Sequence, residues 1–434
     1  MAGHVADDLS LGEGPPRATL YGWMVFALSF GLLISDYMAR QVLNAVFPLL
    51  KAEWHLSDSK LGLLSGVVAL MVGLLTFPLS LAADRWGRVR SLTVMAILWS
   101  IATLLCAAAQ DFTTMLVGRA LVGIGEAAYG SVGIAVVISV FPMRLRATLA
   151  AAFMAGGQFG QILGVALGGT IAASHGWRPA FAAIGIFGLL LGILYPIVVR
   201  EVRIRALSAN GSSGAQAGSP PSLRGLVASR SVRFAYLGSG LQLFAAGALP
   251  AWLPSYFNRT YHLALDKAGA LAAVMLLVGG SGMILCGIAS DRIARDRPER
   301  KIALAMTYCL VTAALLTLAM MLPPGLMQLV VLGTAMFFVA GTAGPSGAMV
   351  ANLTPLAIHG SAFATLTLAN NLLGLAPGPI LTGRFADVLG LAGAFRLLPI
   401  PCVLAAVAFA AMRRTYLADL AAKSAAPGPE LQPA

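Results

Sequence analysis

Arg119 and Glu126 stand seven residues apart in MLVGRALVGIGEAAYG (Met115 to Gly130), a stretch otherwise built from apolar and small residues. In an α-helix this spacing is two turns, so both side chains leave one face. A second pair, Asp36 and Arg40, is four residues apart and also shares a face. Such a set can hold and release a proton, and it can attract an anion. Two arginines and two carboxylates sum to zero, and protonating Glu126 or Asp36 leaves net positive charge. Buried carboxyl groups of this kind are candidates for proton exchange.

The surroundings decide what these charges are for. Of 434 residues, 58% are hydrophobic and 11% are charged, against about 25% charged in a soluble domain. Mean hydropathy is +0.84. The chain reads as a polytopic helical membrane protein. At membrane depth a charge is costly unless it faces a cavity or a partner. The four therefore read as the working charges of a transporter lining one cavity, with Glu126 and Asp36 coupling to protons and Arg40 and Arg119 binding substrate. The competing reading is an internal ion pair that holds the first helix to the fourth.

The net charge of +12 sits in short loops between apolar runs, which argues against nucleic acid as a partner. Cys106, Cys286, Cys309 and Cys402 fall inside apolar runs and read as packing residues. No Cys/His spacing suggests a metal, and no phosphate-binding glycine loop or nucleophile–base set appears, so no cofactor and no enzymatic activity are expected.

Apolar segments of roughly spanning length recur along the chain. They predict helices over 22–49, 60–81, 91–109, 112–140, 147–173, 179–199, 233–256, 267–289, 301–322, 325–352, 359–383 and 392–412. The expected fold is an all-α membrane protein of twelve transmembrane helices in two pseudo-symmetric six-helix bundles, 21–199 and 233–412. Residues 1–20 read as a disordered N-terminus. The segment 200–232, with GSSGAQAGSPPS and several arginines, reads as a flexible linker, and 413–434 as a tail. Twenty of the 29 lysines and arginines fall on the side of the termini and linker, and seven on the other. This makes both termini cytoplasmic, in a bacterial-style inner membrane.

The halves repeat at one offset. Asp84-Arg85 matches Asp291-Arg292, Pro142 matches Pro355, and Ala180-Phe181 matches Ala394-Phe395, at separations of 207, 213 and 214. The sequence Asp84-Arg85-x-Gly87-Arg88, its partner Gly287-x-x-x-Asp291-Arg292, the twelve spans and the central linker resemble the major facilitator superfamily. That resemblance implies a two-bundle secondary carrier working by alternating access around a central cavity. The two loops read as conformational latches, with Asp84 placed to cap a neighbouring helix. Leu98-Trp99-Ser100, the run Gly118 to Ala127 and Trp252-Leu253-Pro254-Ser255-Tyr256 look like the Spinster branch. In that likeness Glu126 matches a proton-titrating glutamate with Arg119 as its partner. Helix 1 departs from the branch, with Ala39 before Arg40 and the acid at Asp36.

Gly156, Gly160, Gly164 and Gly168 form a stripe, expected to be a packing surface at which the halves rock. Gln158 and Gln161 on the same helix are candidate substrate contacts. From the second half the candidates are Gln242, Asn370 and Asn371, near expected bends at Gly247–Pro250 and Pro377-Gly378-Pro379. The expected function is proton-coupled symport of a small organic anion, a carboxylate, by a monomer. The alternatives are proton-driven export of an amphipathic or lipid-like molecule, and a non-transporting receptor on the same fold.

Overall fold

The structure is a computed structural model that describes residues 20–202, 204, 226, 229–355 and 358–425. The expected disordered N-terminus up to residue 19, most of the linker and the end of the tail lie outside the described residues. Described residues form helices and no strands: α1 Leu20–Ala45, α2 Phe47–Trp54, α3 Asp58–Trp86, α4 Arg88–Ala108, α5 Phe112–Glu126, α6 Tyr129–Ser139, α7 Met143–His175 and α8 Trp177–Val198. After residue 229 come α9 Arg230–Thr260, α10 Leu265–Ile293, α11 Arg300–Met321, α12 Leu326–Val339, α13 Ala343–Leu353 and α14 His359–Asn370. A π-turn Asn371–Leu375 then leads to α15 Pro377–Phe395, α16 Pro399–Arg413 and α17 Tyr416–Ala425.

Nine helical stretches among these are long and apolar enough to cross a membrane, or ten if the bent pair 359–395 and 399–413 is taken as one span. The helix α9 has the length, but its arginines, glutamine and prolines hold its hydropathy down.

Several predicted single helices are broken. The span 112–140 bends at Ala127-Ala128, where Thr76 Oγ1 on α3 donates to the Ala127 carbonyl at 2.7 Å. In the eleventh span Pro377 has no N–H for the preceding turn. The helix widens there instead, with Ala376 N donating to Asn371 O at 2.9 Å. The expected break at Gly247–Pro250 is absent, and α9 runs through both Pro250 and Pro254.

The helices before residue 204 pack chiefly on one another, led by α1 on α7 and α4 on α8. Those after 229 do the same, led by α9 on α16 and α11 on α16. The halves meet along two seams, α3 with α15 and the π-turn, and α7 with α10. Glycine sets both. A Cβ on Gly66 would lie 2.6 Å from the Ala376 carbonyl oxygen, and one on Gly169 would lie 2.9 Å from the Leu265 carbonyl oxygen. The predicted stripe is not at a seam. Gly156, Gly160, Gly164 and Gly168 face Phe30, Ile34, Met38 and Val42 of α1, in the same half. Glycines at every fourth residue do admit a close helix, but the neighbour they admit is α1.

The apolar core divides unevenly. One buried cluster joins both halves, from Phe47, Leu61 and Phe181 to Trp252, Leu316 and Phe395. A second cluster, around Trp99, Tyr129 and Phe153, lies wholly in the first half. A third, around Tyr236, Cys309 and Phe409, lies wholly in the second. The halves are thus fused at the end carrying Asp58 and separate toward the end carrying residues 204 and 226.

Candidate functional site

Between the halves lies a cavity of ≈ 250 Å³. Its first-half wall is positioned by close helix contacts. The seat of α1 on the α7 glycines turns Asp36 and Arg40 toward α5. Gly118, Gly123 and Gly125 bring α5 against Cys106, Val68 and Trp99, since a Cβ at each would come within 2.8 Å of those residues.

Asp36, Arg40, Arg119 and Glu126 do meet. Arg40 Nε donates to Glu126 Oε2 at 2.5 Å, and the Arg40 side chain is 20% exposed while that of Glu126 is fully buried. The Arg40 guanidinium also lies 5.2 Å from the centre of the Tyr37 ring. Asp36, one turn before Arg40 on α1, and Glu126 are both buried. Among the described residues, no N–H or O–H donor reaches Asp36 Oδ1 or Glu126 Oε1.

Arg119 does not pair with Glu126. Its guanidinium donates to three backbone carbonyls: Ala39 at 2.7 Å, Arg40 at 3.1 Å and Leu64 at 3.3 Å. It ties α1 and α3 to α5 and touches the cavity at its edge. Arg40, on α1, stands between the buried acid and the open space.

Gln158 and Gln161 line the cavity, together with Gln41 and Asn44. The amides form a chain. Asn44 donates to Gln41 at 2.6 Å, Gln41 to Gln161 at 3.3 Å, and Gln161 to Gln158 at 3.4 Å. The second-half candidates are elsewhere. Gln242 is buried and donates to Thr312 Oγ1 and the Val339 carbonyl. Asn370 accepts from Ser239, and Asn371 donates to the Thr367 carbonyl. None of the three lines the cavity. The face of α9 that does so carries Leu243, Ala246 and Gly247, and Gln242 is about 100° around the helix from Leu243.

At the latch loops, Gly87 adopts φ +106°, which favours glycine, and ends α3 while starting α4. The cap on α4 comes from Glu201, whose Oε2 accepts from Val89 N at 2.7 Å. The Asp84 side chain lies outside the described positions. Arg85 is exposed and Arg88 half-buried. In the second copy, Gly287 faces open space, Arg292 is exposed, and Asp291 pairs with Lys301 at 2.8 Å while remaining 74% exposed. Such a surface pair contributes little.

The profile of the Major Facilitator Superfamily matches residues 28–374. The chain belongs to the major facilitator superfamily. This facilitator is similar to a probable L-galactonate transporter of Escherichia coli (strain K12), 28% identical over 332 residues and 73% of each chain. It is also similar to the sphingosine-1-phosphate transporter SPNS2 of Danio rerio, 27% identical over 290 residues, 63% of this chain and 57% of the relative. Its fold matches that of a bacterial homologue of the human lysosomal transporter Spinster, solved inward-facing and unoccupied. The TM-score is 0.80 at 19% identity, over 93% of this chain and 99% of that one. Family and fold are those of multi-pass membrane transporters.

At the fused end the facilitator carries a polar clasp that sequence reasoning missed. Asp387 on α15 caps α3 across the seam, accepting from Asp58 N at 2.6 Å, from Ser59 N at 3.0 Å and from the Ser59 hydroxyl. Asp58 in turn accepts from Lys51 at 2.7 Å and from both terminal nitrogens of Arg259 at 2.7 and 2.8 Å. Ser57-Asp58 at a helix start was visible in the sequence, but nothing there points to a cap 329 residues away. Replacing Asp387 by Ala removes a cap worth about 0.5–2 kcal/mol from this state alone. The expected outcome is that a cysteine placed at Ser65, in the cavity, reacts about 2- to 30-fold faster with an impermeant maleimide from the Asp58 side. Unchanged reactivity would show that the clasp does not hold the end shut.

Proposed function

We propose that this transporter is a proton-coupled symporter of a small organic anion, working by alternating access as a monomer in a bacterial inner membrane. The nine apolar spans, the two arms of the bent pair and α9 make twelve crossings, in two six-helix bundles joined through 200–232. The excess of arginine and lysine beside residues 204, 226 and 300 puts that side in the cytoplasm. The fused end then faces outward, and the structure is the inward-open state.

The observation that carries the coupling is the burial of two carboxyl groups, Asp36 and Glu126, on the wall where Arg40 bonds Glu126. Two buried carboxylates near one another repel, and a proton on either relieves this. With both acids ionised, the four charges cancel. With one proton bound, the set is positive by one, and Arg40, the partly exposed member, is released from part of its hold on Glu126. An anion then docks on Arg40 in the cavity. Proton and anion load together, and each makes the other's binding more favourable. Arg119, spent on backbone carbonyls, keeps the field positive and the helices in register.

A second reading is export of an amphipathic molecule, with proton entry breaking the Arg40–Glu126 contact and releasing cargo. The apolar second-half wall of the cavity favours it.

The test is uptake into proteoliposomes under an imposed pH gradient, acid outside. A carboxylate is expected to accumulate while an internal dye reports acidification. Accumulation indifferent to the gradient, or protons moving against the cargo, would remove the symport reading.

A further inference from the structure

We propose that the cargo is a monoanion with a compact apolar body, an aromatic or short aliphatic acid, rather than a polyhydroxylated acid. This rests on the anion-symport reading and supplies the half of the cargo that reading leaves open.

The inference comes from the unlike walls of the cavity. Among the described residues, every polar side chain lining it precedes residue 200: Arg40 and Tyr37, the amides Gln41, Asn44, Gln158 and Gln161, and Ser65 and Arg119. Every lining side chain after 229 is apolar, among them Leu243, Leu276, Met283, Met336, Val339 and Leu375. The second half had polar groups to offer. Gln242, Asn370 and Ser239 lie on the same helices but are turned into helix contacts.

A ligand with one charged end and one apolar face fits this division. Its charge meets Arg40, and its body lies on leucines, valine and two thioethers, which adapt to rings. A hydroxyl pressed against that wall without a partner loses roughly five- to 150-fold in affinity. Pro250, which lines the cavity, has no N–H for the Ala246 carbonyl, so the wall has room for a hydroxyl there but not for a row of them. Size agrees with this: an enclosed cavity of about 150 Å³ already holds benzene, so ≈ 250 Å³ suits a ring or a short chain.

The experiment is competition against radiolabelled benzoate on the purified full-length chain. Unlabelled gluconate, butyrate, hexanoate, palmitate and benzyl alcohol are the probes. Hexanoate is expected to compete, with affinity rising roughly fourfold per methylene from butyrate, and gluconate to be at least about tenfold weaker than benzoate. Met283→Gln, close in volume, is expected to weaken benzoate about tenfold and leave gluconate no worse. Gluconate binding as tightly as benzoate would overturn the apolar body while leaving anion symport standing. Benzyl alcohol binding as tightly as benzoate would overturn the charge requirement, and with it the symport reading. Palmitate outcompeting hexanoate would overturn the compact body.

Discussion

Glu126→Gln is expected to abolish accumulation driven by a pH gradient while leaving exchange of cargo across the membrane intact. A gradient of about two pH units stores about 2.7 kcal/mol per proton, enough for about 100-fold accumulation at one proton per anion. Glutamine keeps the shape of the side chain but cannot carry the proton. It also ends the competition between Glu126 and the cargo for Arg40. Cargo then still docks on Arg40 and still crosses, so counterflow of labelled against unlabelled anion continues. Net accumulation falls from about 100-fold to equilibration. Arg40 tolerates losing its counter-ion because its side chain is 20% exposed to the cavity. A mutant that accumulates anion at the parent ratio under the same gradient would remove Glu126 from the coupling mechanism.

Gly62→Ala is expected to produce a folded protein biased toward opening at the Asp58 end. A Cβ at Gly62 would run into the Pro379 carbonyl oxygen and come within 3.1 Å of its carbon and 3.2 Å of Ile380 Cα. These are backbone atoms of the opposite half, so no rotamer change relieves the clash. Separation of the halves at this end does. Overpacking of this kind costs about 1–3 kcal/mol, and it falls on the closed-end state alone. The population open at that end rises about 5- to 150-fold. A cysteine at Ser65 should then label faster from the Asp58 side, with little change in thermal unfolding. Gly130→Ala, where a Cβ meets nothing within 4 Å, is the matched control. Equal labelling rates in the two variants would show that this seam does not govern opening.

The four charges were legible because ionisable groups inside apolar helices are rare and expensive. Finding Asp36, Arg40, Arg119 and Glu126 together needs no more than helical spacing and the cost of burying a charge. Their pairing was not legible. Glu126 binds Arg40 rather than Arg119 because the rotation of α1 against α5 is set by contacts with α7, far away in sequence. The same limit displaced Gln242, Asn370 and Asn371. One residue along a helix is about 100° of rotation, and periodicity in a helix apolar on most sides does not fix which side faces a cavity. The glycine stripe of α7 correctly announced a close neighbour without naming it. Asp387 capping α3 had no local signature at all, since an aspartate near a helix end reads as solvated until the partner helix is in place. Prolines fared unevenly. Pro377 produced a π-turn where a bend was expected, whereas α9 absorbed Pro250 and Pro254 without breaking.

The core cluster that runs across both halves at the Asp58 end has a thermal consequence. Adhesion between apolar surfaces is largely entropic near 25 °C and fades as the solution cools. The clasp of Asp58, Arg259 and Asp387 is ionic and follows a different temperature law. Chilling is therefore expected to loosen one fastening of the Asp58 end and spare the other, so how often that end opens depends on the growth temperature as well as on the chain.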